Sequence, residues 1–111
     1  MEPLADRRCV PCDAGTPKLE DAVVAELLAE LKGWKLDAEG RLTKTFRFDG
    51  FLPGVDRVRK IGDLAEQEGH HPDLFLSWGS LQVNLITHAI GGLSENDFVL
   101  AAKIDRTIGR T

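Results

Sequence analysis

No apolar run in this chain exceeds a few residues, and its basic residues stand singly except at Arg7-Arg8 and Arg57/Arg59-Lys60. The first shortage excludes a membrane-spanning helix, which needs an unbroken apolar stretch several times longer. The N-terminus M-E-P-L-A-D-R-R also lacks the apolar centre of a signal peptide, so the expected location is the cytoplasm. With 14 basic against 18 acidic residues the net charge is −4, and no basic footprint for nucleic acid is present. Cysteine is scarce too. Both cysteines fall in Cys9-Val10-Pro11-Cys12, within a stretch rich in proline, glycine and charge, and no strand precedes them as in a redox motif. A C-x-x-C pair is half of a four-ligand zinc site, and no second pair exists in the chain. Zinc would need a second chain or the histidines. No internal repeat or low-complexity segment is evident.

What is present is concentrated. All three histidines lie between Glu66 and Asp97: E-Q-E-G-H-H-P over 66–72, Trp78, Thr87-His88, and S-E-N-D ending at Asp97. Histidine alone changes charge between pH 5 and 8 without help, so this stretch is where proton chemistry is expected.

At 111 residues and 12.2 kDa the chain makes one domain, 17–111, preceded by a flexible tail over 1–16 that carries the C-x-x-C. Thr16-Pro17 reads as a helix start, and Leu19, Val23, Leu27, Leu28 and Leu31 recur at helical spacing up to Gly33, predicting a helix over 17–32. Trp34 to Leu36, a turn over 37–40 and Leu42 to Phe48 read as a hairpin, with Lys44 the polar exception on the apolar parity. Phe51, Val55, Val58, Ile61 and Leu64 mark a second helix ending at Gly69, although Gly54 and Gly62 weaken it. Pro72 biases His71 toward an extended conformation, placing His70-His71 at a helix-to-strand junction.

Leu74, Leu76 and Trp78 alternate toward a two-residue type II′ turn at Gly79-Ser80, and Leu81, Val83 and Leu85 alternate after it. That register sets 78 against 81 and 71 against 88, returning His88 to the side of the pair. Ser94 and Asp97 form a variant capping box for a last helix carrying Phe98, Ala101, Ala102, Ile104 and Ile108. The expected fold is α+β, a four-stranded antiparallel sheet with three helices packed on one face, in the order α-β-β-α-β-β-α. Its bare face and edges predict an oligomer.

Within the candidate site, Glu66 lies one helical turn before His70 and can fix an imidazole tautomer. Three imidazoles around one cleft suit general acid and base catalysis on a flat heterocycle. Each residue also has an ordinary explanation: a histidine as helix C-cap, Asp97 as cap alone, Glu66 as a solvated helix residue, Trp78 as core.

The set as a whole resembles the pterin-4a-carbinolamine dehydratase family. Glu66, His70-His71-Pro72, Trp78, His88 and Asp97 match the family's pattern without a gap, and W-K-L, F-R-F, A-E-x-x-x-H-H-P, T-H and G-G-L-S-x-x-D extend the likeness across 17–110. The resemblance implies dehydration of 4a-hydroxytetrahydropterin to quinonoid dihydropterin, recycling the cofactor of aromatic amino-acid hydroxylases. It implies no metal and no organic cofactor, a small-molecule pterin substrate and a homodimer or homotetramer, while the charge balance and short apolar runs argue against a nucleic-acid or membrane partner. By position it makes His70 and His88 the acid–base residues and His71 a pterin-orienting residue. Asp97 would hold the hydrogen bonding, while Glu66, Pro72, Trp78 and Thr87 support or bind. The alternatives left open are a non-catalytic scaffold, serving transcription-factor dimerisation or assembly of the carbon-fixing carboxylase, and a metal site built from the histidines.

Overall fold

A computed structural model describes residues 2–11 and 15–109. After a single 3-10 turn at Leu4–Asp6 come α1 (Asp21–Leu28), β1 (Lys35–Leu36), β2 (Leu42–Arg47), α2 (Leu52–Glu68), β3 (Asp73–Ser77), β4 (Ser80–Leu85), a second 3-10 turn at His88–Ile90, and α3 (Glu95–Ile108). The strands form one antiparallel sheet in the order β1-β2-β4-β3. This is the α+β architecture that the alternation of apolar periods predicts. Among the described residues no helix is long and apolar enough to cross a membrane.

Period-two alternation puts Leu42 and Phe46 of β2 and Leu81, Val83 and Leu85 of β4 on one face. There they pack with Ile61 of α2 and with Phe98, Val99, Leu100, Ile104 and Ile108 of α3. Lys44 shares that parity yet keeps its ammonium out of the core. Its stem crosses Phe46, with Nζ 4.8 Å from the ring centre, and Nζ bonds Asp105 at 2.7 Å. The opposite face carries Thr43, Thr45, Arg47 and Gln82, of which Thr45, Arg47 and Gln82 are exposed.

Two local expectations are corrected. The first helix does not begin at Thr16-Pro17, nor does it span 17–32. Residues 17–20 run up to Glu20 as the N-cap, and the Leu19 N–H donates to the Leu93 carbonyl at 3.0 Å, which holds the segment against the loop before α3. At the other end the helix tightens, with Glu30 bonding back to Leu27 and Leu31 to Leu28, until Gly33 closes it at φ +80°.

The β3–β4 turn is also one residue earlier than expected. Ser77 faces Ser80 and Leu76 faces Leu81, so the loop is Trp78-Gly79, and residues 71 and 88 are not register partners. Gly79 takes φ +77° while Trp78 does not enter the left-handed region, which is the pattern of a type II turn and not II′. The segment after β2 selects this choice: the Gly79 carbonyl accepts from Phe48 N–H at 3.1 Å, and Gly79 N–H donates to Gly50 at 3.0 Å.

Helix α2 ends as expected, at Gly69 in the left-handed conformation with its N–H on the Ala65 carbonyl. Gly54 has a packing purpose, because a Cβ there would come within 2.5 Å of Leu76 Cδ1 and 2.7 Å of the Phe48 ring. The N-terminal stretch does not stand apart from the domain over 2–11. Leu4 is 4% exposed within the core, and Lys103 Nζ donates to the Ala5 carbonyl at 3.1 Å. Cys9 is a free thiol, whereas Cys12 lies outside the described residues.

Candidate active site

The left-handed Gly69 turns the chain out of α2, and the His70 N–H still reaches the Ala65 carbonyl at 3.2 Å, so the residue that follows the cap points inward. His70 is 9% exposed, with Nε2 2.7 Å from Asp97 Oδ1. Asp97 is fully buried at the N-terminus of α3, and its other oxygen accepts from Thr87 Oγ1 at 2.7 Å and from the Ser94 N–H at 3.0 Å. The Ser94–Asp97 capping box is complete, and Thr87 Oγ1 lies 2.7 Å from Ser94 Oγ. A carboxylate oxygen accepts only, so Asp97 selects the His70 tautomer with its proton on Nε2 and leaves Nδ1 for proton exchange.

The next residue points the other way, as extended geometry before Pro72 requires. His71 is exposed and bonds the Glu66 carboxylate through Nε2, so the tautomer-fixing role foreseen for Glu66 falls on His71 and not on His70. Pro72 is half-buried at the entrance to β3.

His88 arrives by the loop after β4. Thr87 pairs with Gly92, its N–H on the Gly92 carbonyl at 2.9 Å, and Gly91 at φ +59° closes the 3-10 turn that begins with His88. This pinned loop sets Ile86, Thr87, His88 and Ala89 across from Gly69, His70 and His71 around a cleft of about 210 Å³. The size is below the roughly 300–1,000 Å³ of sites for drug-sized ligands and suits one small ring system. All three histidines therefore line one cleft, His71 with its ring bonded outward to Glu66, although the strand register that suggested the grouping is shifted. Trp78 is not brought there: it sits at the turn at the far end of β3, 67% exposed.

The lining residues not foreseen are Gly69, Ile86 and Ala89, which neighbour the histidines in sequence, and Val10 and Asn96, which do not. The Asn96 amide accepts from the Val10 N–H at 2.9 Å and donates to the Val10 carbonyl. The sequence signal for Asn96 was its place inside S-E-N-D, next to the cap. Val10 carried none, because its position depends on docking of the N-terminal segment. Beside it, Cys9 is no nucleophile: burial, then the charge of Glu68, pushes its thiol up to about 12. Among the described residues no group of three histidine, cysteine or acidic side chains is gathered as a metal cage.

The sequence profile of the Pterin 4 alpha carbinolamine dehydratase family matches residues 17–107. A Rubrobacter xylanophilus protein named provisionally as a pterin-4-alpha-carbinolamine dehydratase is 43% identical over 106 residues, 96% of this chain and 99% of that relative. One from Rickettsia canadensis with the same name is 46% identical over 109 residues, 97% of this chain and 100% of the relative. Among solved structures, a Brucella melitensis protein described as a transcriptional coactivator/pterin dehydratase superposes with a TM-score of 0.77 at 28% identity, over 82% of this chain and 98% of its own. A pterin dehydratase-like protein described as a RuBisCO assembly factor in the alpha-carboxysome gives 0.60 at 21% identity, over 71% and 93%, a likeness of fold alone. The chain belongs to the pterin-4-alpha-carbinolamine dehydratase family of hydro-lyases.

Proposed function

We propose that this cleft dehydrates a 4a-hydroxytetrahydropterin to the quinonoid dihydropterin. The observation that carries the reading is the convergence of His70, His71 and His88 on one small cleft, with His70 held by the buried Asp97. Elimination needs a proton delivered to the 4a hydroxyl and a proton taken from N5. The C4a–O bond breaks, water leaves, and the N5 electron pair forms the C4a=N5 bond. No electrons are exchanged with any other reactant. In this reading His70 and His88, which both line the cleft, act as the acid and base pair, and His71, bonded to Glu66, orients the ring. Asp97 holds the His70 ring in one orientation and one tautomer through its bond to Nε2. Thr87, whose hydroxyl bonds Asp97, keeps that carboxylate in place.

Association into a dimer or tetramer fits the surface, since β1 and β3 are open sheet edges and Phe51, Leu52, Val55, Phe75 and Trp78 are exposed. Light scattering on the purified chain tests it.

The decisive assay follows decay of the carbinolamine absorbance. Acceleration by the wild-type chain and strong loss in His70→Ala and His88→Ala are expected, whereas wild-type decay no faster than the spontaneous reaction overturns the proposal. The assembly-factor neighbour supplies a second reading, a binding role. A stoichiometric partner whose capture is indifferent to the histidine substitutions would favour it.

A further inference from the structure

We infer that Val10 is a specificity-determining residue of the cleft and that Asn96 is the positioning residue that holds it there. The inference rests on the dehydratase reading for its substrate class, a fused bicyclic heterocycle. Val10 lies outside the stretch that matches the family profile, yet it lines the same cleft as the three histidines.

Its placement is built, not incidental. Asn96, 4% exposed, clamps both backbone groups of Val10 with its side-chain amide. The preceding residue is tied as well, with the Cys9 N–H on Glu68 Oε1 at 2.9 Å and Cys9 Sγ 3.7 Å from the Asn96 carbonyl. Glu68 is itself buried beside Lys103, which bonds the Ala5 carbonyl, and Arg106 pairs with Asp6 at 2.6 Å. Residues 4–10 are thus fastened along α2 and α3 at several points. Neighbouring positions of one helical turn perform complementary tasks: Asp97 fixes the catalytic imidazole, and Asn96 fixes the wall.

Although its backbone is fully engaged, Val10 remains 63% exposed, an apolar residue that lines the cleft beside the histidines together with Ile86 and Ala89. A valine has few rotamers, so this wall does not yield easily to a larger guest. It has no group that can exchange a proton. What it offers is apolar contact that persists unchanged from bound substrate to transition state, and such uniform binding appears in KM and not in kcat.

The test is steady-state dehydration by wild type, Val10→Gly, Val10→Phe and Asn96→Ala, using carbinolamines with a small and a bulky ring substituent. Val10→Gly should raise KM about three- to tenfold with kcat within about twofold, as expected for losing most of one buried valine contact. Val10→Phe should discriminate against the bulky substrate more strongly than wild type does. Asn96→Ala should reproduce the KM effect of Val10→Gly. Asn96 is buried, so failure of that variant to fold leaves the two Val10 variants to decide. Unchanged KM in both, or loss of kcat at unchanged KM, overturns the inference while leaving the dehydratase reading intact. If wild type has no dehydratase activity, equilibrium dialysis of 7,8-dihydropterin decides: weaker binding to Val10→Gly supports the inference, and equal affinity overturns it.

Discussion

Asp97 meets His70 with one carboxylate oxygen, 2.7 Å from Nε2, while its other oxygen closes the capping box of α3 on the Ser94 N–H. The residue that begins the last helix is therefore the residue that sets the tautomer of the buried imidazole. One side chain thus serves both the helix cap and the imidazole, and substitutions can separate the two.

In Asp97→Asn the amide oxygen can still accept from Ser94, but the carboxylate oxygen that accepts from His70 Nε2 and fixes its tautomer is gone. We expect kcat to fall about 10²- to 10⁴-fold, the usual worth of a positioned general acid or base, with modest loss of stability. Asp97→Ala should lose similar activity and, in addition, about 1 kcal/mol or more of stability through the missing cap. Rate measurements beside urea unfolding separate the two effects. Near wild-type turnover in Asp97→Asn would show that His70 does not depend on this carboxylate.

The Glu66–His71 pair lies in solvent, with side-chain exposures of 77% and 61%. Glu66→Gln should change stability by no more than about 0.5 kcal/mol, since exposed pairs are worth little. Its effect on turnover should be much smaller than that of Asp97→Asn and should fall mainly on KM. A loss of kcat as large as in Asp97→Asn would transfer the central role to His71.

Two glycines of α2 should respond in opposite directions to alanine. At Gly54 the new methyl would collide with Leu76 and Phe48, so Gly54→Ala should destabilise by about 1–3 kcal/mol through overpacking. At Gly62 nothing lies within 4 Å, and Gly62→Ala should stabilise by up to about 1 kcal/mol through helix propensity alone. Denaturant midpoints of the two variants check the sign of each.

Burial and the neighbouring Glu68 push Cys9 up to about 12, whereas an unfolded thiol ionises near the ordinary value of about 8.5. The folded state therefore binds the proton more tightly. This contribution is complete below the unfolded value and declines as pH rises toward about 12. Urea unfolding between pH 8 and 11 should show a steeper fall for wild type than for Cys9→Ala, and Cys9 should resist iodoacetamide at pH 8 in the native protein. Equal slopes, or rapid native labelling of Cys9, would contradict the buried thiol.

Much of the fold was legible because its signals are local. Gly69 before His-His-Pro, the Ser94–Asp97 spacing, and the alternation of Leu42, Phe46, Leu81, Val83 and Leu85 each act over one or two turns of chain. The start of α1 was misjudged because Thr16-Pro17 is locally a good cap and loses to a bond with Leu93, far along the sequence. The β3–β4 register was misjudged because Gly79 serves either of two adjacent two-residue turns, and bonds to Phe48 and Gly50 select one. The faces survived the error, since moving the turn by one residue shifts the pairing by two and keeps every side chain on its side.

The sequence alone determined that every imidazole lies in one stretch, that a helix ends before two of them, and that an aspartate caps the helix after the third. These follow from capping, period and turn chemistry, which operate between neighbours. Only the tertiary structure decided that His70 turns inward to Asp97 while His71 turns outward to Glu66, and that Val10 completes the wall under the hold of Asn96. Those partners are chosen by packing of α2, α3 and the N-terminal segment, and for His70 and Val10 they join residues 27 and 86 positions apart. Hydrogen bonds over such separations form only once the core has brought the elements together.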